Sequence, residues 1–238
     1  LLGDVEVNGN STTNINYVLN EEDKVLINNR REKRFVTRSG LKLERALNEF
    51  KIDVRDKVCL DCGASEGGFT DCLIKGGANK VYAVDVAYGI LNWNLRTNSK
   101  VIVLERTNAR YINSDKVKDV IDILTVDVSF ISAEKIVSNV SKFLNKNGVM
   151  VILFKPQFDL PKVKLGKNGT VLNYLDCIEG ISEFIYKISL LGININRIVE
   201  SPIKGNHGNV EFLLGAIGNG LLEKNKIDDV VKNAYERA

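Results

Sequence analysis

The stretch "KVCLDCGASEGGFTDCLIKGG", Lys57–Gly77, decides the fold. It begins as an apolar run, turns through small residues and continues as a helix-patterned segment. A strand, a glycine-rich turn and a helix in that order open a βαβ unit. Small residues there let the backbone approach a ligand closely. A dinucleotide fingerprint needs G-x-G-x-x-G, but Ser65 stands at its middle position. The pattern D-x-G-x-(G/S)-x-G, typical of S-adenosylmethionine sites, fits better. Its members are Asp61, Gly63, Ser65 and Gly67, with Gly68 following. Asp85 ends the next apolar run, where a carboxylate accepts hydrogen bonds from ribose hydroxyls. Asn108 in "ERTNAR" is placed to border an adenine pocket. Loop and carboxylate together imply a nucleoside-containing cofactor. They do not alone separate NAD from S-adenosylmethionine.

The same alternation runs on through the chain. Strand-like runs are "KVYAVDV", "KVIVLE", "DILTVDV", "VMVILF", "INRIVES" and "VEFLLGAI". Helical runs are "ILNWNLRTN", "SAEKIVSNVSKFLN" and "LDCIEGISEFIYKISLLG", and Trp93 in the first is expected to pack in the core. "SGLKLERALNEF" precedes them all, with Ser39 as its expected N-cap. The tail "NKIDDVVKNAYER" reads as a surface helix. This predicts an α/β fold with a mostly parallel seven-stranded sheet and helices on both faces. The last two strand runs lack a helix between them and are expected to form an antiparallel hairpin at one edge. Asp61, Asp85, Asp127 and Lys155 all fall at or near strand ends. In an open α/β sheet, ligands bind outside the carboxyl ends of the strands, so four charged groups converge on one crevice.

The chain divides near residue 38 into three expected parts. Residues 1–29 hold "DVEVNG" and "KVLINN", a small β-hairpin unit with Asn-rich turns. Residues 30–38 form a basic linker with Arg30, Arg31, Lys33, Arg34 and Arg38, a track for a polyanion. Residues 39–238 form the main domain.

Composition bounds the class. The chain has 238 residues, 44% apolar and 26% charged, with a net charge of +3. That is an ordinary globular balance, and no apolar run is long enough to span a membrane. The start is too short and polar for a signal peptide, and without an initiator methionine it is expected to be processed or truncated. Four cysteines imply a reducing, cytoplasmic setting. Cys59 and Cys62 form a CxxC inside an apolar run and read as buried strand residues. With one His and no second CxxC, no metal is expected.

"GLKL", "LDCGASEGGFTDCLIKGGA", "YAVDVAYGILNWNLR", "VLERTNAR", "DVSFIS", "LFKPQF" and "SPIKGNHGNVEFL" resemble, in order and spacing, the haemolysin A family of ribosomal RNA 2′-O-methyltransferases. The match covers about residues 36–217. The N-terminal segment resembles the latter half of that family's α-L RNA-binding module. The resemblance implies a Rossmann-like class I methyltransferase fold, S-adenosyl-L-methionine as cofactor and cytidine in ribosomal RNA as substrate. By motif it implies a tetrad of Lys42, Asp127, Lys155 and Glu211. Glu66 departs from the pattern, adding a negative charge where related loops are neutral.

The tetrad also makes chemical sense by itself. A ribose 2′-hydroxyl is a weak nucleophile, and a nearby cation stabilises the alkoxide that develops. A neutral lysine would instead take the proton. Lys155 fits either role, with the other three positioning and tuning it. The sulfonium carries its own leaving group, so no metal is required. The alternatives are a small-metabolite methyltransferase, a non-catalytic RNA-binding protein and a membrane-lytic haemolysin. No basic, aromatic-rich amphipathic helix supports the last. "KLGKNGT" reads as a basic loop near RNA and His207 as a loop residue.

Overall fold

The computed structural model describes residues 5–12, 17–20, 22–27, 34–171 and 173–237. The chain forms two compact units, Leu1–Arg34 and Phe35–Ala238. The first holds β1 (Val5–Val7), β2 (Asn10–Thr12) and β3 (Val25–Ile27), in antiparallel order β2-β1-β3. Asn8 and Gly9 join β1 to β2, both with positive φ, as a two-residue Asn-Gly hairpin requires. The two expected runs, "DVEVNG" and "KVLINN", supply β1 and β3, which pair antiparallel, and β2, which the sequence pattern does not single out, pairs with the other edge of β1.

The second unit opens with α1 (Ser39–Phe50), β4 (Val58–Cys62), α2 (Gly68–Lys75), β5 (Lys80–Val84), α3 (Trp93–Arg96), β6 (Val101–Leu104) and β7 (Ile121–Val126). It continues through α4 (Glu134–Val140), β8 (Leu144–Phe154), α5 (Pro156–Asp159), α6 (Tyr174–Ser189), β9 (Arg197–Glu200), β10 (Phe212–Ala216) and α7 (Lys224–Glu236). The seven strands run β6-β5-β4-β7-β8-β10-β9. β4 through β8 are parallel, while β10 is antiparallel to both β8 and β9. The antiparallel pair thus lies at one edge, as expected, with β10 inserted between β8 and β9.

Strand periodicity explains why the helices lie on both faces. Cys59, Val151 and Leu153 join Leu43, Leu47, Phe69 and Leu73 of α1 and α2. Their neighbours Leu60, Met150 and Ile152 join Ile136 of α4, Ile181 of α6 and Val231 of α7. Both faces are buried, so the central strands read as continuous apolar runs. Cys59 and Cys62 are buried and free in β4.

Three local expectations need correction. Ser39 is the first helical residue of α1, not its cap. Arg38 holds the cap position without a side-chain bond, and the Ser39 and Thr37 hydroxyls pair at 2.7 Å. Trp93 is 71% exposed. Only one turn of its segment is helical, and Leu91 and Leu95, four residues apart, take the inward face. The helix expected to reach Asn145 ends at Val140, followed by a 3₁₀ turn over Ser141–Phe143. Asn145 is instead drawn into β8, where its amide donates to Asp122 Oδ1 of β7 at 2.6 Å.

The chain leaves β4 for β5 and β6 on one side, then returns to lay β7 on the other. This reversal opens a crevice between the ends of β4 and β7. Gly63 follows β4 there with φ of +89°, and a Cβ on it would lie 2.1 Å from the Asp127 carbonyl oxygen. Gly63→Ala therefore imposes both a disfavoured backbone and a clash. The expected cost is at least about 2 kcal/mol, a melting point lower by roughly 4–8 °C for a domain of this size. An unchanged melting curve would show that the two loops separate freely.

Candidate active site

The strand ends build two cavities that share a wall. The first, of about 380 Å³, is lined by Gly63, Ser65, Asp85 and Asn108, with Val86, Ile90 and Ile136 among its apolar sides. Asp85 follows β5. Its Oδ2 accepts from the Ser65 amide and its Oδ1 from the Ala87 amide, both at 2.8 Å. The carboxylate is thus held rigidly, and each oxygen keeps a further lone pair. Asn108 caps the turn Ala109–Tyr111 through a bond from the Arg110 amide. A fixed carboxylate beside an apolar wall suits a nucleoside, with the ribose at Asp85 and the base against Val86 and Ile90. These residues fit S-adenosylmethionine.

Other residues of the same motif take supporting places. Asp61 is fully buried within β4, and the Thr70 and Thr125 hydroxyls donate to it at 2.7 and 2.9 Å. It ties β4 to α2 and β7 and does not line the cavity. A side chain on Gly68 would strike Ser39 Oγ at 1.9 Å, so this glycine lets α2 meet α1, while Gly67 lies against Leu95. Glu66 is exposed and lines neither cavity.

The second cavity, of about 230 Å³, holds all four tetrad residues together with Arg38, Ser129 and Gln157. Lys155 follows β8 directly. Its Nζ lies 2.6 Å from Asp127 Oδ1. That is an ion pair by distance but poorly aimed as a hydrogen bond, since Oδ1 has no aligned donor. The aligned bond from Nζ goes to Ser129 Oγ at 3.0 Å. Lys42, on the first turn of α1, meets Glu211 Oε2 at 2.5 Å, and the Gln157 amide reaches Glu211 Oε1 at 3.5 Å. Glu211 arrives from the opposite direction to the other strand-end groups. Phe212 pairs with Phe154 in antiparallel register, so the beginning of β10 lies where β8 ends. Gly63, Ser65, Asp127 and Ser129 line both cavities.

Ser129 and Gln157, within "DVSFIS" and "LFKPQF", line the second cavity but are not singled out by the sequence pattern. A hydroxyl two residues past the strand-end Asp127 was the available signal. Phe130 follows, 89% exposed, with its ring 5.3 Å from that of Phe158. "KLGKNGT" starts at the last residue of one 3₁₀ turn, Lys162–Lys164, and contains a second, Lys167–Gly169. His207 is exposed in a turn. Arg38 is exposed on the second cavity wall, and Arg34 is exposed as well. Arg30, Arg31 and Lys33 lie outside the described residues. Among the described residues, no group of three or more His, Cys, Asp or Glu is arranged to hold a metal. No helix of theirs is long and apolar enough to cross a membrane.

A seven-stranded sheet with an antiparallel seventh-strand insertion, a nucleoside cavity and an adjoining polar cavity together define a Rossmann-like methyltransferase. Residues 35–217 match the model of the FtsJ-like methyltransferases. A candidate rRNA methyltransferase of Bacillus subtilis, YqxC, is 42% identical over 76% of this chain and 65% of its own. The 16S/23S rRNA (cytidine-2′-O)-methyltransferase TlyA of Mycobacterium tuberculosis is 37% identical over 77% of this chain and 68% of its own. The chain thus spans about two thirds of the length of these curated relatives. A solved candidate hemolysin from Streptococcus thermophilus superposes with a TM-score of 0.85 at 33% identity, over 98% of this chain and 86% of that one. The chain belongs to the FtsJ-like methyltransferase family.

Burial raises the Asp61 carboxyl to about 6, despite the two threonine hydroxyls that favour its charge. The unfolded value is about 3.9. Between those values the folded state holds a proton that the unfolded state has lost, so this contribution to stability declines as pH rises from 4 to 6. Asp61→Asn cannot titrate. Relative to that variant, the wild type should lose about 2–3 kcal/mol over this interval, read by urea unfolding at several pH values. A wild type that gains stability instead would mean that the buried carboxylate is ionised throughout.

Proposed function

We propose that this chain transfers a methyl group from S-adenosyl-L-methionine to a ribose 2′-hydroxyl of ribosomal RNA, with cytidine as the nucleoside. One observation carries the reading: the Lys155–Asp127 and Lys42–Glu211 pairs line a cavity that shares a wall with the nucleoside cavity. The names of the curated relatives support the substrate class.

The cofactor supplies an electrophilic methyl and its own leaving group, and the rest falls to the chain. Asp85 holds the cofactor's ribose and Gly63 and Ser65 line its approach, with Asn108 at the far side. Asp61, Gly67 and Gly68 shape the loop from behind. Lys155 meets the 2′-hydroxyl, as proton acceptor or as stabiliser of the alkoxide. Asp127 holds the Lys155 ammonium in place, and Lys42 with Glu211 fixes the opposite wall. Arg38 extends this wall toward a phosphate backbone. Arg30, Arg31, Lys33 and Arg34 precede it in the chain and add a basic approach for RNA. Residues 1–29 would serve as part of an RNA-binding module, residues 30–38 as a linker and residues 39–238 as the catalytic domain. The cytoplasm is the compartment this substrate implies.

The test uses donor labelled in its methyl group, unmodified small- and large-subunit rRNA and purified subunits, followed by mapping of ribose methylation. Lys155→Ala is expected to lose about 10²–10⁴-fold in transfer rate, the usual worth of a positioned acid–base group, while the donor dissociation constant holds. Transfer near the wild-type rate would remove Lys155 from the mechanism. Asp85→Ala is expected to weaken donor binding roughly ten- to hundredfold, through loss of charge-assisted bonds worth about 1.5–3 kcal/mol. Calorimetry giving an unchanged constant would displace the cofactor from this cavity.

A further inference from the structure

We infer that Ser129 is a positioning residue that aims the Lys155 amine at the acceptor hydroxyl. The inference rests on the proposed reading of Lys155 as the group that meets the 2′-hydroxyl.

The argument begins with the bonds available to the amine. A lysine ammonium has three N–H donors. Two directions around Lys155 Nζ are occupied, by Asp127 Oδ1 at 2.6 Å and by Ser129 Oγ at 3.0 Å. The Ser129 bond is the better aligned, because Asp127 Oδ1 lacks a well-aimed donor. Asp127 by itself fixes the charge near Nζ but leaves the amine free to rotate about its own bond. A second, aligned acceptor stops that rotation.

When Lys155 acts as the proton acceptor, its two N–H groups serve Asp127 and Ser129, and the lone pair takes the remaining direction. Ser129 lines both cavities, so that direction is set at their common wall. As the O2′–C bond forms and the S–C bond breaks, the hydroxyl proton passes to Lys155 Nζ. The ammonium so formed stays bonded to Asp127 and Ser129, and the sulfur leaves as a neutral thioether. Charge and atoms balance without a further reactant.

The backbone supports the same role. Phe130, directly after Ser129, has φ of +65°, a left-handed conformation that is unfavourable for a bulky residue. Its ring is 89% exposed, so core packing does not demand the turn. Ser129 stands at the start of this turn, with its hydroxyl 3.0 Å from Lys155 Nζ.

Ser129→Ala removes the hydroxyl from an exposed residue and is expected to fold normally. With labelled donor and unmodified rRNA, its kcat should fall roughly ten- to hundredfold, the worth of a hydrogen bond to a charged group. The KM for RNA, the donor dissociation constant and the melting temperature should stay within about twofold or a degree of wild type. Ser129→Thr, which keeps the hydroxyl, should recover most of the rate. A merely structural role would lower donor affinity or the melting temperature along with kcat, and would overturn the inference. So would wild-type kcat in the alanine variant, or a threonine variant as slow as alanine. Lys155→Ala is run in parallel. If it keeps full activity, the reading of the site fails and the positioning role fails with it. If it is inactive while Ser129→Ala is unaffected, only the positioning role fails.

Discussion

Gly63 and the Asp127 carbonyl touch across the point where the sheet changes direction, and the site depends on that contact. The Gly63 and Ala64 amides both donate to the Val84 carbonyl, at 2.9 and 3.1 Å. The Asp127 amide donates to the Cys62 carbonyl at 2.9 Å. Three strand ends, those of β4, β5 and β7, are therefore stitched by backbone bonds just past their last paired residues. Asp85 and Asp127 leave from this knot in adjacent directions. A residue with a Cβ at position 63 would force the knot apart and move the nucleoside cavity relative to the polar one. Rigid elements hold reacting groups more closely than free loops do, and here the rigidity is carried by main chain.

The four tetrad charges raise the opposite problem, because burying them is costly. Lys42, Lys155 and Glu211 are each less than a tenth exposed. Removing one partner from such a pair costs about 3–5 kcal/mol, since the other is left without a counter-charge. The fold meets this through direction. Parallel strands deliver their carboxyl ends to the crevice, and β10, running antiparallel, delivers its amino end there. A parallel strand in that place would carry Glu211 to the far edge of the sheet. Lys42 would then lose its partner, and α1 would lose the bond that ties its first turn to the sheet. The antiparallel insertion thus lets two lysines and two carboxylates share a confined space as neutral pairs.

Much of this was legible in the sequence, for definable reasons. Strand periodicity with charged ends located Asp85, Asp127 and Lys155, because a fully buried strand has few sites where a charge can emerge. The missing helix before "VEFLLGAI" indicated the antiparallel pair. Other features were illegible because they depend on partners distant in the chain. Asp61 looks like a ligand-facing strand end, yet Thr70 and Thr125 turn it inward. Asn145 has a helical pattern on one side, but Asp122 decides its place. Trp93 looks like core until the helix proves to be one turn long. The pairing of Lys42 with Glu211 joins residues at opposite ends of the domain, and spacing within either segment carries no sign of it. Only the resemblance of the motifs suggested it.

The composition of the shared wall is the last step of this reasoning. Gly63, Ser65 and Ser129 are small, and Asp127 is the one charged residue among the four that line both cavities. Small residues leave room for two ligands to approach to reacting distance, which accounts for much of the rate gained by bringing reactants together. A large side chain at any of these three positions would separate the cavities. A second charge would favour one ligand's ground state over the reaction. Asp127 is tolerated because Lys155 neutralises it at 2.6 Å, so the wall is nearly neutral until a proton or a methyl group moves across it. The field at the junction then changes only as the reaction proceeds, which is the condition for stabilising a transition state more than its reactants.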